Sequence, residues 1–400
     1  MADYELWMTD DLGRRFALLS DMTEPFFLSY SRAVSGLGTL SFGCAFESFQ
    51  KKIKPYFLPD RRIEVWRSAA NGYPMRREDV YMLRKPHIYT REDNVQVIQL
   101  YGNNGVDLLK RRSVVQRNGT SYTNKTDNID DMMKEFVRQQ MLYGSALDED
   151  GVVDNTRAWP QNEFTVQGDL GLGPSVTRGY ADRVVFDLLK DLKALSYQLN
   201  VESSASRRIH FDVVPKDLAS GAAASGAVLG WEFQTFADLR GTDRTTSREF
   251  SPENENIKSP AYSVSHLDEV NSVFVRGNGQ GANQIVTNVE DSVRVASSRW
   301  NRFEKVISAS SESSTTALQN AGKAELNKGK PSQDLLVTLL NTPGSRNVPR
   351  SLYGVDWDLG DRLPISYAGL QFEAEVNIVY VSVDQDGKEE ITGRNEIQTI

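Results

Sequence analysis

YGVDWDLGDRLPIS, Tyr353 to Ser366, sets Asp356, Asp358 and Asp361 around two aromatic rings and then runs into a strand-like stretch. Its reading decides the fold. As a cation or catalytic site it would make the chain an enzyme; as the lead-in to a hairpin it would make it a β scaffold. In extended backbone successive side chains point to opposite faces, so Asp356 and Asp358 share one face and Trp357 and Leu359 the other. Gly360-Asp361 supplies a turn or bulge, and Pro364 suits a strand start or an edge. Asp361 is the nearest third ligand, and it lies beyond the turn. The structural reading is therefore preferred. Trp357 and Leu359 anchor the segment to a core, and the acids face solvent or a neighbouring subunit. On that reading Trp357→Ala weakens folding or assembly and Asp358→Asn leaves the fold intact.

The next stretch of chain carries its clearest β signal. In LQFEAEVNIVYVSVDQDGKEEIT, Phe372, Ala374, Val376, Ile378 and Tyr380 are expected on one face, and Asp386-Gly387 marks a hairpin turn. The first part of the chain reads the same way. FFLSYS, TLSFGCAF, RIEVWRS, YMLRKPHIYT and VQVIQLYG are short aromatic and branched runs separated by turn residues. ESFQKKIKPYFLP is the exception, read as a short amphipathic helix or a long connection. Between these β-rich ends lie two helical patterns. TDNIDDMMKEFVRQQMLYG is read as a helical stripe of Met132, Met133, Phe136, Val137, Gln140 and Met141, with Asp127 or Asn128 as N-cap and Gly144 as stop. YADRVVFDLLKDLKALSYQLN carries a stripe of Val184, Val185, Leu188, Leu189, Leu192 and Leu199. Strands with Ile209, Phe211, Val213, Trp231 and Phe233 come after it, around the small-residue loop LASGAAASGAV.

The composition is that of an ordinary globular protein: 400 residues, 39% hydrophobic and 25% charged. Such a length suggests roughly two to four domains. The net charge of -8 argues against a chain built to grip nucleic acid, although Lys110-Arg111-Arg112 is a local basic run. Cys44 is the single cysteine, so neither an intrachain disulfide nor a cysteine metal site is available. The acidic start, MADYELWMTDDLGRR, has no signal-peptide character, and no apolar run approaches the length of a membrane span. The expected place of synthesis and assembly is the cytosol.

Chemical motifs fail on spacing. His87, His210 and His266 are not at metal-ligand intervals, and no reactive cysteine or partnered histidine supports nucleophilic chemistry. LDEDGVVDN puts Val152 and Val153 where a calcium loop needs an acid and a glycine. GNGQG, after a strand, lacks the Lys-Ser pair of a phosphate loop and reads as a turn. LRGTDRTTSREFSPE is a loop in which Asp243 suits an Asx turn and Arg244 an ion pair; an anion site is the competing reading.

Taken in order, several segments resemble the tail hub, or baseplate hub, proteins of tailed bacteriophages, the siphophage type above all. They are the LRGTDRT loop with Gly241, Asp243, Arg244 and Thr245, and FSPENENI from Phe250. Next is HLDEVNSVFVRGNG, where Asn271 opens a strand, then RWNRFEKVISAS, read as helical. The last is YGVDWDLGDRLPI with Trp357, Asp358, Gly360 and Asp361. The resemblance spans residues 180–400 and is vaguer before them.

It implies an α+β, β-rich multidomain chain with two tail-tube-like β-barrel domains. The first barrel takes 1–116 and a mixed α/β middle domain 117–261. The second barrel takes 262–305 and 345–400, with a helical and loop insertion at 306–344. It also implies a homotrimer whose six barrels adapt a sixfold tube to a threefold tip. Neighbours would be the tail tube or distal tail protein, the tape-measure C-terminus, and tip or fibre proteins. Genomic DNA would pass through the lumen without specific binding, and acidic lumen walls would repel its phosphates. The resemblance implies no catalytic, cofactor or metal residues and no membrane anchor. The protein would reside at the virion tail tip after assembly in the host cytoplasm. The singled-out residues become structural or interface positions. Two other functions stay open: a tail-tip cell-wall hydrolase, and a receptor- or carbohydrate-binding tail protein. For the latter Trp66, Trp159 and Trp231 are stacking candidates, although Trp66 and Trp231 lie in strand patterns.

Overall fold

Alternating apolar and polar residues at the two ends of the chain build one large sheet. The computed structural model describes residues 3–19, 27–47, 49, 58–70, 72–114, 118, 123–180, 182–199, 208–309, 314–346, 349–384 and 386–397. The N-terminal part supplies β1 (Tyr4–Thr9), β2 (Arg15–Leu18), β3 (Phe27–Ala33), β4 (Thr39–Ala45), β5 (Arg62–Arg67), β6 (Arg76–Thr90) and β7 (Gln96–Asn103). A single turn of helix, α1 (Asp107–Lys110), leads out of it. The helix expected over ESFQKKIKPYFLP lies largely outside the described residues.

The middle part holds β8 (Ser113–Val114), β9 (Thr123–Asn128), α2 (Ile129–Met141), β10 (Phe164–Val166), β11 (Ser175–Tyr180), β12 (Arg183–Val184), α3 (Val185–Leu199), β13 (Ile209–Asp217) and β14 (Leu229–Ala237). The C-terminal part holds β15 (Ile257–Ser265), β16 (Ser272–Arg276), β17 (Val286–Glu290), α4 (Ser292–Ala296), β18 (Glu304–Ser308), α5 (Thr315–Lys328), β19 (Ser332–Leu340), β20 (Arg362–Tyr367), β21 (Leu370–Val383) and β22 (Glu389–Ile397).

The large sheet runs β15-β19-β22-β21-β3-β4-β7-β6-β5-β1-β2, with β20 also on β21. Its two halves, one from each end of the sequence, join where β3 pairs antiparallel with β21 from Ile378↔Ala33 to Val383↔Leu28. One apolar core serves both halves, from Leu6, Phe42 and Ile63 to Trp357, Val379 and Ile391. Among the described residues the sheet does not close: β15 and β2 are its ends. The molecule is mostly β, but two separate barrels are not what the strand pairing builds.

The hairpin of β21 and β22 departs from the expected face assignment. A bulge between Val376 and Ile378 shifts the register by one residue. A one-residue shift exchanges the faces of a strand. Ala374 and Val376 are buried before the bulge and Val379 and Val381 after it, whereas Tyr380 is 40% exposed. Ile378 and Tyr380 therefore do not share the core face of Ala374. At the tip, Asp384 accepts the amides of Asp386 and Lys388, and Gly387 takes a φ of 72°.

The middle part has its own core. β10, β14 and β13 form a three-stranded sheet. The stripes of α2 and α3 pack with it through Met132, Met133, Phe136, Val137, Val185, Leu188, Leu189 and Leu192. Both faces of β6 are consequently covered: Tyr81 and Leu83 belong to the large-sheet core, Val80 and Met82 to the middle core. The C-terminal part carries an excursion. β17-β16-β18 form a separate small sheet, covered by α5 through Val273, Val275 and Leu318. RWNRFEKVISAS, expected to be helical, contains β18, which pairs parallel with β16. Val306 and Ile307 are branched residues that fit a pleated ladder better than a helix. The excursion lies between β15 and β19, which pair with each other in the large sheet, closing at Ser265↔Ser332. Strands within 262–305 are thus divided between two sheets, and residues 332–340, expected within an insertion, are a strand of the large one.

At the joint between β6 and β13, Asp79 and Asp212 line a 260 Å³ cavity with Arg32 and Arg240. Arg240 pairs with Asp212 at 2.7 Å, and Asn104 donates to Asp79 at 3.1 Å. Burial pushes the Asp79 carboxyl up to about 6, against the pull of Arg32 and with the push of Asp212. The folded chain then holds this proton where the unfolded chain has lost it, so stability falls as pH rises from about 4 to 6 and levels above. Asp79→Asn should shrink that fall, and its gain at pH 7 should stay below the roughly 3 kcal/mol of two pKa units at 1.36 kcal/mol each, because Asn has one acceptor oxygen where Asp79 takes the Val80 amide and Asn104 on separate oxygens. Urea unfolding at several pH values checks this; a wild-type profile flat from pH 4 to 7 would refute it.

Candidate functional site

The acids of YGVDWDLGDRLPIS are held in place by a tight turn. The Leu352 carbonyl accepts the amides of Val355 and Asp356, and Asp356 returns a bond to the Leu352 amide at 2.8 Å. Asp356 also takes both ends of the Arg350 guanidinium, at 2.7 and 2.9 Å. The turn brings Tyr353 and Trp357 side by side, their rings 5.1 Å apart and both fully buried. Leu359 is buried beside them.

Asp358 is half-buried and paired rather than free in solvent. Its Oδ2 accepts from Arg76 at 2.6 Å and its Oδ1 from Arg32 at 3.3 Å and from the Leu359 amide at 2.7 Å. The same two arginines reach Glu78: Arg76 at 2.7 Å and Arg32 at 3.3 Å. The Tyr353 hydroxyl donates to Glu78 at 2.6 Å and accepts from Arg32 at 2.7 Å. The guanidinium groups of Arg67 and Arg76 lie over the Tyr353 ring at 5.3 and 5.1 Å. Arg67 in turn forks onto Glu389 at 2.7 and 2.9 Å. Burial alone would raise the Asp358 carboxyl, but Arg32 and Arg76 outweigh it and hold it below its ordinary value.

Asp361 ties in the third segment. Its Oδ1 accepts the Thr242 amide at 2.7 Å, and its Oδ2 accepts Arg244 at 2.6 Å and the Asp358 amide at 2.8 Å. Burial raises its carboxyl despite the Thr242 amide and Arg244. Gly241 packs so closely that a Cβ there would stand 2.4 Å from Asp361 Oδ1. Gly360, at φ 85°, leaves room for the Gly241 amide, which donates to the Gly360 carbonyl at 3.1 Å. Asp243 accepts the amide and hydroxyl of Thr245 at 3.0 and 2.7 Å. Phe250, fully enclosed, runs alongside β20: its amide donates to Pro364 at 2.9 Å and its carbonyl accepts from Ser366 at 2.9 Å.

Nine of the ten singled-out residues thus meet in one place, the contact of the 241–250 loop with the 353–366 segment. Asn271 does not join them. It opens β16 in the small sheet, bonded to Asn301 at 2.7 Å and to the Phe303 amide at 2.8 Å. Sequence reasoning missed the partners from the other end of the chain: Arg32, Arg67, Arg76 and Glu78. The signal was present, since a charge set among strand residues with buried neighbours must find a counter-charge.

The arrangement is a clasp. Guanidinium groups and backbone amides occupy the carboxylates, and among the described residues no group of three or more His, Cys, Asp or Glu is placed to hold a metal ion. His210 is buried and, by desolvation and the nearby Lys193, pushed down to about 3, so it is neutral. His266 pairs with Glu269 in the excursion.

A family model described as Siphovirus ReqiPepy6 Gp37-like protein matches residues 71–393. The match begins well before residue 180. No curated protein matches the sequence. Among solved structures, the chain is similar to the 43 kDa tail protein of prophage MuSo2 from Shewanella oneidensis, with TM-score 0.52 and 12% identity over 98% of this chain and 97% of that one. It is equally similar to the tail protein from Neisseria meningitidis MC58, with TM-score 0.52 and 11% identity over 99% and 96%. A chain of the PdpA–VgrG complex gives TM-score 0.50 and 10% identity over 99% of this chain and 64% of that one. At these identities the likeness is one of fold.

Three substitutions separate clasp from core. Trp357→Ala should cost about 3–5 kcal/mol by emptying a packed site. Asp358→Ala should cost about 1–3 kcal/mol, because it leaves Arg32 and Arg76 short of a counter-charge in a half-buried site. Asp358→Asn falls between that value and zero, contrary to the expectation that it is silent. Denaturant midpoints measure all three; an unchanged midpoint for Asp358→Ala would show that the clasp does not hold the fold together.

Proposed function

The chain belongs to the Siphovirus ReqiPepy6 Gp37-like family, and on that footing we propose that it is the hub at the distal end of a phage tail tube. In this reading three copies form a ring that adapts the sixfold tube to a threefold tip. The observation that carries it is the pairing of two sheet halves, one from each end of the chain, fixed edge to edge through β3 and β21. Two sheet halves in each copy, repeated three times, would supply six contacts for the tube above. The clasp supports the reading because it keeps the two halves in one relation while a neighbour pulls on either.

The tube or distal tail protein would seat on one side of the ring, and the tape-measure C-terminus and tip or fibre proteins on the other. The wall offered to passing DNA would be the sheet face opposite the core. There a 560 Å³ groove crosses β22, β21, β3, β4 and β7 and is lined by Ser29, Ser41, Tyr380, Ser382 and Thr392, with Glu390 as the charged residue of its lining. Lys85 lies over the Tyr101 ring and Arg394 over the Tyr380 ring of the same lining, at 5.6 and 5.5 Å. The wall is thus read as hydroxylated and mixed in charge, with too few cations to hold phosphates tightly.

Light scattering on the purified chain should give three times its 44.9 kDa mass, and labelled virions should carry the label at the tail tip. A monomer that never joins tube protein, or a label elsewhere on the virion, would sink the proposal. Ser29→Lys combined with Ser41→Lys should make the assembled ring retain double-stranded DNA in a salt-dependent way.

A further inference from the structure

We propose that one end of the small-sheet excursion, with Trp300 as its anchor, is the surface through which copies of this chain bind one another. The inference rests on the hub reading for the number of copies, three, and names the face that joins them.

Apolar side chains stand out into solvent at this end. Leu267 is 91% exposed, Trp300 88% and Val293 79%. They sit on three segments: the turn after β15, the turn before β18, and α4. A single exposed aliphatic is ordinary, but a tryptophan so exposed with two aliphatics on adjoining segments marks an interaction site.

The three segments are pinned to one buried polar knot of Glu269 and Asn271. The Asn271 side chain donates to the Asn301 carbonyl at 2.7 Å and accepts the Phe303 amide at 2.8 Å. Its own carbonyl accepts the Asp291 amide, at the head of α4, at 2.9 Å. Glu269 pairs with His266 at 2.8 Å and with Arg294 at 3.6 Å. Asn301 closes the knot by donating to the Arg294 carbonyl at 2.8 Å. Asn271, the singled-out residue that stays outside the clasp, thus holds the turn that presents Trp300. An aromatic side chain held in this way loses little freedom on binding, which is why tryptophan is enriched among the anchors of protein contacts.

Two observations say what covers the surface. The first is that β15, which leads into Leu267, is an open edge: among the described residues no strand lies beyond it. Proteins blunt such edges, and the first half of β15 is blunted by Lys258, Pro260 and a bulge between Lys258 and Ala261. The second half, Ala261 to Ser265, carries neither charge nor proline, so its outward N–H and C=O groups are open to another polypeptide. A lipid surface has no use for such an edge. The second observation is the charge. Arg299 beside Trp300 and Asp268 beside Leu267 are exposed and have no ion-pair partner among the described residues. One face carries both signs, so Arg299 of one copy can meet Asp268 of the next. A head-to-tail contact of this kind closes into a ring when its rotation fits the number of copies.

Sedimentation velocity on the full chain, from about 1 to 100 μM, spans the range in which a micromolar contact dissociates. The wild type should associate, and Trp300→Ala should raise the dissociation constant about tenfold or more, which corresponds to 1.4 kcal/mol. Trp300→Phe keeps a ring and should lose less. Neither should move the urea midpoint of the dilute chain, because the side chain stands in solvent. Arg299→Glu and Asp268→Arg should each weaken association, and the two in one chain should restore it, which contact with a different protein would not do. Association indifferent to Trp300→Ala overturns the proposal and leaves the hub reading standing, with the ring built through another face. A double variant no better than the singles overturns the head-to-tail contact between copies. A wild type that stays monomeric throughout also overturns the proposal; the hub reading then turns on capture by tube protein and the label on the virion.

Discussion

A charge taken out of water must meet its counter-charge, and in this chain the two come from opposite ends of the sequence. Arg32, Arg76 and Glu78 stand on strands of the first hundred residues; Tyr353 and Asp358 arrive more than two hundred and fifty residues later. Neither set is tolerable when buried alone, since an unpaired buried ion is worth several kcal/mol against folding. The N-terminal half of the sheet therefore depends on the C-terminal half, and the shared apolar core obeys the same division. Charge does not add much net stability here. It selects the one relative placement of the halves in which every carboxylate and guanidinium has a partner.

The middle part is tied to this frame through a strand rather than through a linker. β6 gives one face to each core, so moving the middle part would expose Val80 and Met82 as well as the joint around Asp79 and Asp212. The 241–250 loop adds a second tie. It leaves the middle part after β14 and reaches Asp361 and β20 before β15 begins. The chain thus passes from the middle unit back to the large sheet under continuous hydrogen bonding.

Local chemistry is legible in the sequence, and long-range chemistry is not. The stripes on α2 and α3, the hairpin turn at Asp386-Gly387 and the anchoring role of Trp357 come from spacing and residue type. The face assignment of β21 does not, because a single bulge after Val376 reverses the phase and leaves no mark in composition. The helix expected over RWNRFEKVISAS gives way to a strand because branched Val306 and Ile307 pair with a strand thirty residues earlier. Asp358 reads as a surface acid because its arginines lie out of sight of any local window. The loop around Gly241 and the Trp357 turn each stand out alone, but their mutual contact through Asp361 is a property of the fold.

The small sheet between β15 and β19 begins and ends at residues that are partners in the large sheet, Ser265 and Ser332. The excursion therefore closes one hairpin of the large sheet, and loop length weighs only logarithmically on stability. It also leans on the middle part, because α5 touches α3. That makes it a socket with one fixed wall: its strands away from α5 can change in length without disturbing the register beneath, whereas α5 is held from two sides.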